Sequence, residues 1–209
     1  MNTIENIIFD LGGVVLNIDY HLTTRAFTEK GVPHFEQLYS QLSQSHLFDD
    51  YETGKIDTAA FIARLTATAP GLQPEEVVHS WNAMLLDLPA DRIAWLQALR
   101  PRYKTFVFSN TNDLHETAFN REVKRVTGAD NLSAFFDRVY LSHKIGYRKP
   151  HPEGFRMILA DNNLHPAATL FIDDSPQHIA GARQLGLQTL YLPGDSNLQT
   201  ELSAILNHL

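Results

Sequence analysis

Five short apolar runs recur along the chain and predict buried β-strands. The runs are Asn6–Phe9, Thr105–Phe108, Arg138–Leu141, Leu170–Ile172 and Thr189–Leu192. Several of them are continuously apolar instead of alternating between apolar and polar residues, which is typical of strands buried on both faces of a parallel sheet.

Helical spacing of apolar residues fills the intervals between the later strands. It predicts helices over residues 91–100 and 152–163. A further helix begins at Ser175-Pro176, a good N-cap and first-turn pair, and ends at Gly186. Strands that alternate with helices indicate an α/β fold with a doubly wound parallel sheet.

Residues 20–88 show helical patterns and no convincing strand. The predicted helices are roughly His21–Lys30, Pro33–Gln44, Thr58–Ala69 and Pro74–Leu86. We therefore expect a small α-helical cap domain, residues 19–88, inserted into a core domain of residues 1–18 and 89–209. Such an insertion covers the carboxyl ends of the strands, where ligands bind in these sheets.

Polar residues with chemical potential follow the predicted strands. They are Asp10, Ser109, Asn110, Lys149, Asp173 and Asp174. Taken singly, each has a structural explanation as a turn, cap or solvated loop residue. Taken together they meet at one edge of a parallel sheet, where carboxylates can bind a hard divalent cation and an amine can bind phosphate.

Composition narrows the class of partner. The 209 residues are 44% hydrophobic and 20% charged, with no cysteine and a formal net charge of −7. We expect a cytoplasmic soluble protein without thiolate chemistry, signal peptide or membrane span, since no apolar run approaches 18 residues. The acidic charge disfavours nucleic acid and anionic membranes as main partners. We expect a monomer or homodimer.

Four motifs in order identify the chain as similar to haloacid dehalogenase superfamily hydrolases. They are FDLGGVV, FSN, YRKPHPEGF and LFIDDSPQHIAGARQLG. The helical insertion after the first motif resembles the small cap of this superfamily's first class. Within the superfamily, FDLGGVV, SNTNDLH, YRKP and FIDDS most resemble the branch that includes α-D-glucose-1-phosphate phosphatase.

The resemblance implies a Mg²⁺-dependent phosphatase for a small phosphorylated metabolite, for example a sugar phosphate such as glucose 1-phosphate. Asp10 would be the nucleophile that forms an aspartyl-phosphate and also a Mg²⁺ ligand. Ser109 and the Asn110 backbone would bind phosphate oxygens, and Lys149 would neutralise the charge shared by nucleophile and phosphate. Arg148 is a further candidate for substrate contact.

The resemblance also implies the remaining metal contacts. Asp174 would bind Mg²⁺ directly, Asp173 would be a ligand or support the ligands, and the Gly12 carbonyl would complete the set. In most phosphatases of the family an acid–base Asp stands where this chain has Gly12. Three explanations are open for the loss of this Asp: the substrate has a good leaving group, Asp19 or His21 replaces the acid–base residue, or the protein is a weak enzyme or a non-catalytic phosphate binder. A 2-haloacid dehalogenase is a less favoured alternative function.

Other residues are predicted to be structural. His178 is expected to cap or support the last motif, and Trp81, Met84, Leu85 and Leu88 to form the core of the cap. A second group follows the FSN motif; its position there would allow an approach to substrate, but a solvated helix face is the favoured prediction. That group consists of His115, Glu116 and Phe119.

Overall fold

The computed structural model describes residues 3–39 and 46–206. One parallel sheet of five strands, in the order β3-β2-β1-β4-β5, runs through these residues. The strands are β1 Asn6–Phe9, β2 Lys104–Ser109, β3 Arg138–Leu141, β4 Thr169–Asp173 and β5 Gln188–Tyr191. The predicted doubly wound α/β class is confirmed, and the predicted strands match these bounds to within about one residue at each end.

Helices precede or follow every strand of this sheet. In chain order they are α1 Tyr20–Glu29, α2 Phe35–Leu38, α3 His46–Glu52, α4 Thr58–Thr66, α5 Pro74–Asn82, α6 Ala90–Leu99, α7 Asp113–Thr127, α8 Ser142–Ile145, α9 Pro152–Asp161, α10 Pro176–Gln184 and α11 Leu198–Ile205. Short 3₁₀ turns at Leu132–Ala134 and Pro166–Ala168 precede β3 and β4.

The sheet is covered on both faces because alternate strand residues point to opposite sides. Ile7 and Phe9 of β1 belong to one buried cluster, which includes residues of α6, α7 and α11. Ile8 belongs to a second cluster with residues of α9 and α10. This burial on both faces explains the continuously apolar strand sequences.

Helices α1–α5 form a separate hydrophobic cluster around Trp81. Its indole ring stacks on Phe48 at 5.2 Å and meets Tyr39 edge-on at 4.8 Å. Met84 lies in this cluster as predicted, whereas Leu88 packs into the sheet cluster instead. Leu85 contacts both clusters and stands between the two bodies.

The prediction of one helix over Pro33–Gln44 is wrong in its described part. His34 adopts a left-handed backbone (φ 52°), α2 lasts only one turn, and Tyr39 is extended. Residues 40–45 lie outside the described residues. The short helix α3 was not predicted, because its seven residues offer too little apolar periodicity to reveal it.

Two passages of the chain join the sheet to helices α1–α5. Ile18 and Leu85 form an antiparallel bridge, and the backbone N–H of Asn17 donates to the Asp87 carbonyl at 3.0 Å. The Asp19 N–H donates to the Met84 carbonyl at 2.9 Å. The two connecting segments, residues 17–19 and 84–87, are thus paired along their length. Within the described ranges, no helix is long and apolar enough to cross a membrane.

Candidate active site

The carboxyl ends of β1, β2 and β4 bring the predicted residues to one edge of the sheet. Asp10 follows β1 directly, Ser109 ends β2 and Asp173 ends β4. The Asp10 N–H donates to the Ile172 carbonyl at 2.9 Å, which continues the β1–β4 ladder up to the site. Parallel pairing therefore places these polar side chains together, as their positions in the sequence predict.

Lys149 is completely buried between two of these carboxylates. Its Nζ lies 2.7 Å from Asp10 Oδ1 and 2.7 Å from Asp173 Oδ2. The rings of Phe108 and Phe171 lie 5.6 and 5.5 Å from the same ammonium. Burial alone would lower the pKa of Lys149, but Asp10 and Asp173 raise it above its usual value. Lys149 is therefore not a solvated loop residue.

Asn110 fixes the backbone that carries this lysine. Its Nδ2 donates to the Lys149 carbonyl at 2.9 Å, and its Oδ1 accepts from the Lys149 N–H at 2.8 Å. The sequence indicated only the backbone of Asn110 as a phosphate contact. The side chain thus has a positioning role that the motif alone does not reveal.

Asp173 is held from three sides. Besides Lys149, its carboxylate accepts from the Ser175 N–H at 2.8 Å and lies 2.9 Å from His178 Nδ1. Burial would raise the pKa of Asp173, but Lys149 and His178 lower it below its usual value. His178 therefore contacts a site carboxylate, as the predicted supporting role requires.

Asp174 lies against the glycine loop that follows β1. Gly13 has a left-handed backbone (φ 76°), and a Cβ at this position would overlap the Asp174 carboxylate. The loop closes on itself where the Gly13 N–H donates to the Leu16 carbonyl at 2.8 Å. Glycine is required here because any side chain would occupy the place of the carboxylate.

The net charge of the site is negative and favours a divalent cation. Burial raises the pKa of Asp10 well above its usual value; Lys149 opposes this rise, while Asp173 and Asp174 add to it. Three carboxylates and one ammonium leave two negative charges in a buried place. Oxygen donors with this excess charge match what Mg²⁺ binds, so the residues fit the predicted metal.

A cleft opens above these residues. Its walls come from the sheet edge and from helices α1–α5. The predicted residues among its lining are Asp10, Gly12, Ser109, Asn110, Arg148 and His178. The cleft is also lined by residues that the sequence did not single out, namely Leu11, Leu16, Ile18, Tyr20, Tyr39, Glu52 and Thr111, and by four predicted to be structural, namely Met84, Leu85, His115 and Phe119.

Neither proposed substitute for the missing acid–base residue is among the described residues that line this cleft. Asp19 instead caps α1, because its Oδ1 accepts from the His21 N–H at 2.9 Å. Tyr20, between them in sequence, does line the cleft. Gly12 itself has no left-handed backbone, and a Cβ there would meet only the flexible Ile18 Cδ1, at 2.9 Å.

His115 is buried beneath the cleft, so the predicted solvated position is wrong for this residue. Its ring stacks on Trp81 at 4.9 Å, and its Nε2 donates to the Trp81 carbonyl at 3.0 Å. Burial lowers the pKa of His115 to about 4. Phe119 is likewise buried and lines the cleft, while Glu116 pairs with His143 and Lys144. The apolar face of α7 was concealed in the sequence by the many polar residues around it.

Comparison with known proteins agrees with this geometry. Residues 4–186 match the family model described as a haloacid dehalogenase-like hydrolase. The chain belongs to this family. The matched range includes strands β1–β4, the glycine loop and helices α1–α5, so it contains every residue of the site described above.

Named relatives extend over the full length. D-ribitol-5-phosphate phosphatase from Bacteroides thetaiotaomicron is 29% identical over 98% of this chain and 99% of its own. A crystal structure of a haloacid dehalogenase family enzyme from the same organism, in complex with magnesium and inorganic phosphate, is 28% identical. It covers 94% of this chain and 98% of its own, with a TM-score of 0.84.

A predicted family hydrolase from Porphyromonas gingivalis is 30% identical, covers 100% of both chains and has a TM-score of 0.88. Together these relationships confirm the predicted superfamily, the enzyme class of phosphoric monoester hydrolase and the use of Mg²⁺. They do not distinguish the glucose-1-phosphate branch.

Proposed function

We propose that this protein hydrolyses the phosphate monoester of a small sugar or sugar alcohol, with Asp10 as nucleophile. The observation that carries the proposal is the buried Lys149 ammonium, which lies 2.7 Å from Oδ1 of Asp10, a residue that lines the cleft. This ammonium orients the Asp10 carboxylate, and its positive charge can offset the negative charge of an incoming phosphate.

Asp10, Asp174 and the Gly12 carbonyl would hold the metal, with Asp173 behind them holding Lys149. Bound there, Mg²⁺ supplies positive charge that offsets the repulsion between these carboxylates and a phosphate dianion. Asp173 suits the supporting role better than direct ligation, because its oxygens already contact Lys149, Ser175 and His178.

The reaction has two displacements at phosphorus. An Asp10 oxygen attacks the phosphorus, and the bond to the ester oxygen breaks with its electron pair leaving on that oxygen. Water then attacks the phosphorus of the aspartyl-phosphate, and the bond to the Asp10 oxygen breaks with its electron pair returning to the carboxylate. The attacking water gives its proton to the solvent, and the ester oxygen released in the first displacement takes one up. In this proposal Ser109, the Asn110 N–H and Lys149 hold the phosphoryl oxygens while both bonds change.

Gly12 cannot protonate the ester oxygen that leaves, because it stands where most phosphatases of the family have an acid–base Asp. General acid–base catalysis contributes about 10²–10⁴-fold, so its loss is tolerated best when the leaving oxygen needs little protonation. An anomeric sugar oxygen meets this condition, which is the reasoning that favoured glucose 1-phosphate. The relative that acts on D-ribitol 5-phosphate favours a primary alcohol instead, so both chemistries belong to the proposal.

The same proposal includes the domain organisation and the setting of the protein. A core of residues 1–18 and 89–209 with a cap of residues 19–88 is supported by the paired passages near residues 17–19 and 84–87. We also propose a cytoplasmic monomer or homodimer that acts without nucleic acid or membrane.

A screen for phosphate release tests this function. With Mg²⁺ we expect hydrolysis of p-nitrophenyl phosphate and of at least one of glucose 1-phosphate and ribitol 5-phosphate, with loss of activity in excess chelator. Binding of phosphate esters without release would instead support a non-catalytic phosphate-binding protein. Metal-independent halide release from 2-haloacids would support the dehalogenase alternative.

A further inference from the structure

We infer that Glu52 and Arg148 form a subsite for the uncharged, hydroxyl-bearing end of the substrate. The pair would accept neighbouring hydroxyl groups and reject a carboxylate or a second phosphate. This inference rests on the proposed function, since it names what the cleft selects beyond the phosphate.

The two residues come from distant parts of the chain and meet at the cleft. Glu52 ends helix α3, whereas Arg148 stands next to Lys149 in the loop after α8, and both line the cleft. Arg148 Nη2 lies 3.0 Å from Glu52 Oε2, and the Glu52 side chain is only 4% exposed. A buried ion pair at the wall of a polar cleft offers an acceptor and a donor side by side.

Arg148 retains hydrogen-bonding capacity in this arrangement. Its Nε is a buried donor that finds no hydrogen-bond partner within residues 3–39 and 46–206. An unsatisfied buried donor is costly, so a turn of the partly exposed Arg148 side chain that brings Nε to a hydroxyl oxygen of a bound ligand would be favoured. A hydroxyl group suits the pair because it can accept from the guanidinium and donate to the carboxylate.

The charge around Arg148 disfavours a second anionic group. Asp49 pairs with Arg148 from the outer side, so two carboxylates surround one guanidinium and leave one negative charge. A second anionic group of the substrate would be repelled by this excess negative charge, and partial burial reduces the screening by water. A neutral polyol chain meets no such repulsion.

Tyr20 and Tyr39 also line the cleft. Their rings lie 6.2 Å apart. Burial raises the pKa of Tyr20, and Tyr39, Asp174, Asp10 and Glu52 raise it further. A substrate that extends from Asp10 to Glu52 would therefore pass neutral phenol groups that can donate or accept a hydrogen bond.

Binding to a protein that cannot turn over tests the subsite. Calorimetric titration with Mg²⁺ present uses Asp10→Asn protein and three probes: ribitol 5-phosphate, ethyl phosphate and 3-phosphoglycerate. Adding Glu52→Gln should weaken ribitol 5-phosphate about tenfold, leave ethyl phosphate within about twofold, and tighten 3-phosphoglycerate. One charged hydrogen bond is worth roughly this much.

Asp49→Asn is the matched control. Like Glu52→Gln, it removes one negative charge that pairs with Arg148, but Asp49 is not among the described residues that line the cleft. It should leave the affinity for ribitol 5-phosphate within about twofold. Arg148→Lys is the second test variant; it keeps the charge but loses Nε, and should weaken ribitol 5-phosphate alone.

Equal weakening of all three probes, or no change in any of them, overturns the inference. Wild-type hydrolysis of phosphate esters together with that result would leave the proposed function standing. The expected binding pattern in a protein that releases no phosphate would support the subsite and contradict the proposed function.

Discussion

Lys149 is a fully buried charge whose two partners, Asp10 and Asp173, are also buried. Its removal has two consequences. The phosphate loses the ammonium that would offset its charge, and the two carboxylates are left facing each other without compensation. Function and stability are therefore linked at this one residue.

Lys149→Ala should lower kcat/KM by about 10²–10³-fold, comparable to the loss of one donor to a developing charge. It should also lower the free energy of unfolding in chelator by about 3–5 kcal/mol, since one partner of a buried ion pair is removed. Steady-state kinetics and urea unfolding measure the two effects. Lys144→Ala, an exposed lysine in the same segment, is the control, and equal behaviour of the two variants would contradict the assignment.

Asp173 and Asp174 are neighbours with different surroundings. Asp173 contacts Lys149, Ser175 and His178, whereas Asp174 lies against Gly13 beside Asp10. The first holds the lysine, and the second faces the place we assign to the metal.

Asp174→Asn should therefore raise the Mg²⁺ concentration for half-maximal activity at least about tenfold, and more than Asp173→Asn does. Titration of activity against Mg²⁺ in both variants gives the comparison. A larger shift for Asp173→Asn would reverse the two roles.

At the scale of elements, helices α5 and α7 are joined through a buried polar network. Asn112, which caps α7, accepts from Trp81 Nε1 at 3.2 Å and from the His115 N–H at 3.1 Å through the same oxygen. Its amide nitrogen therefore faces His115 Nδ1, 3.3 Å away. A neutral His115 ring, with its proton on Nε2, satisfies this arrangement, whereas a protonated ring would set two donors against each other.

His115 should consequently make stability depend on pH. Burial depresses its pKa to about 4 from the usual 6.5, so the unfolded chain binds the proton first as the pH falls. The stability that His115 contributes is present above about pH 6.5 and is lost progressively towards pH 4, by roughly 3 kcal/mol.

The stability advantage of the wild type over His115→Gln should shrink by that amount between pH 7 and pH 4. Urea unfolding at both pH values measures it. His79→Gln, an exposed position on α5, is the control. An advantage that stays constant with pH would show that His115 is not buried as a neutral ring.

The elements also show where prediction from sequence ends. Helices with apolar residues at regular spacing, such as α4 and α9, were predicted with nearly correct first residues. The range Pro33–Gln44 was not, because the left-handed backbone of His34 depends on packing and not on local spacing. The same limit applies to His115, whose burial is created by Trp81 from a distant part of the chain.

For the whole molecule, the sheet edge was predictable and the opposite wall of the cleft was not. Asp10, Ser109 and Asp173 directly follow or end strands, so parallel pairing alone brings them together. Tyr39 and Glu52 reach the cleft only through the fold of helices α1–α5, and no motif marks them. The chemistry of the site is thus encoded locally, whereas its selectivity depends on how the two bodies meet.

The central claim is that Asp10 becomes phosphorylated during turnover. Rapid acid quenching with a radiolabelled phosphate ester and Mg²⁺, followed by peptide mapping, tests it most directly. We predict hydroxylamine-sensitive label on the peptide that contains Asp10 in the wild type, and neither label nor turnover in Asp10→Asn. Undiminished turnover by Asp10→Asn, or label on another residue, would contradict the account.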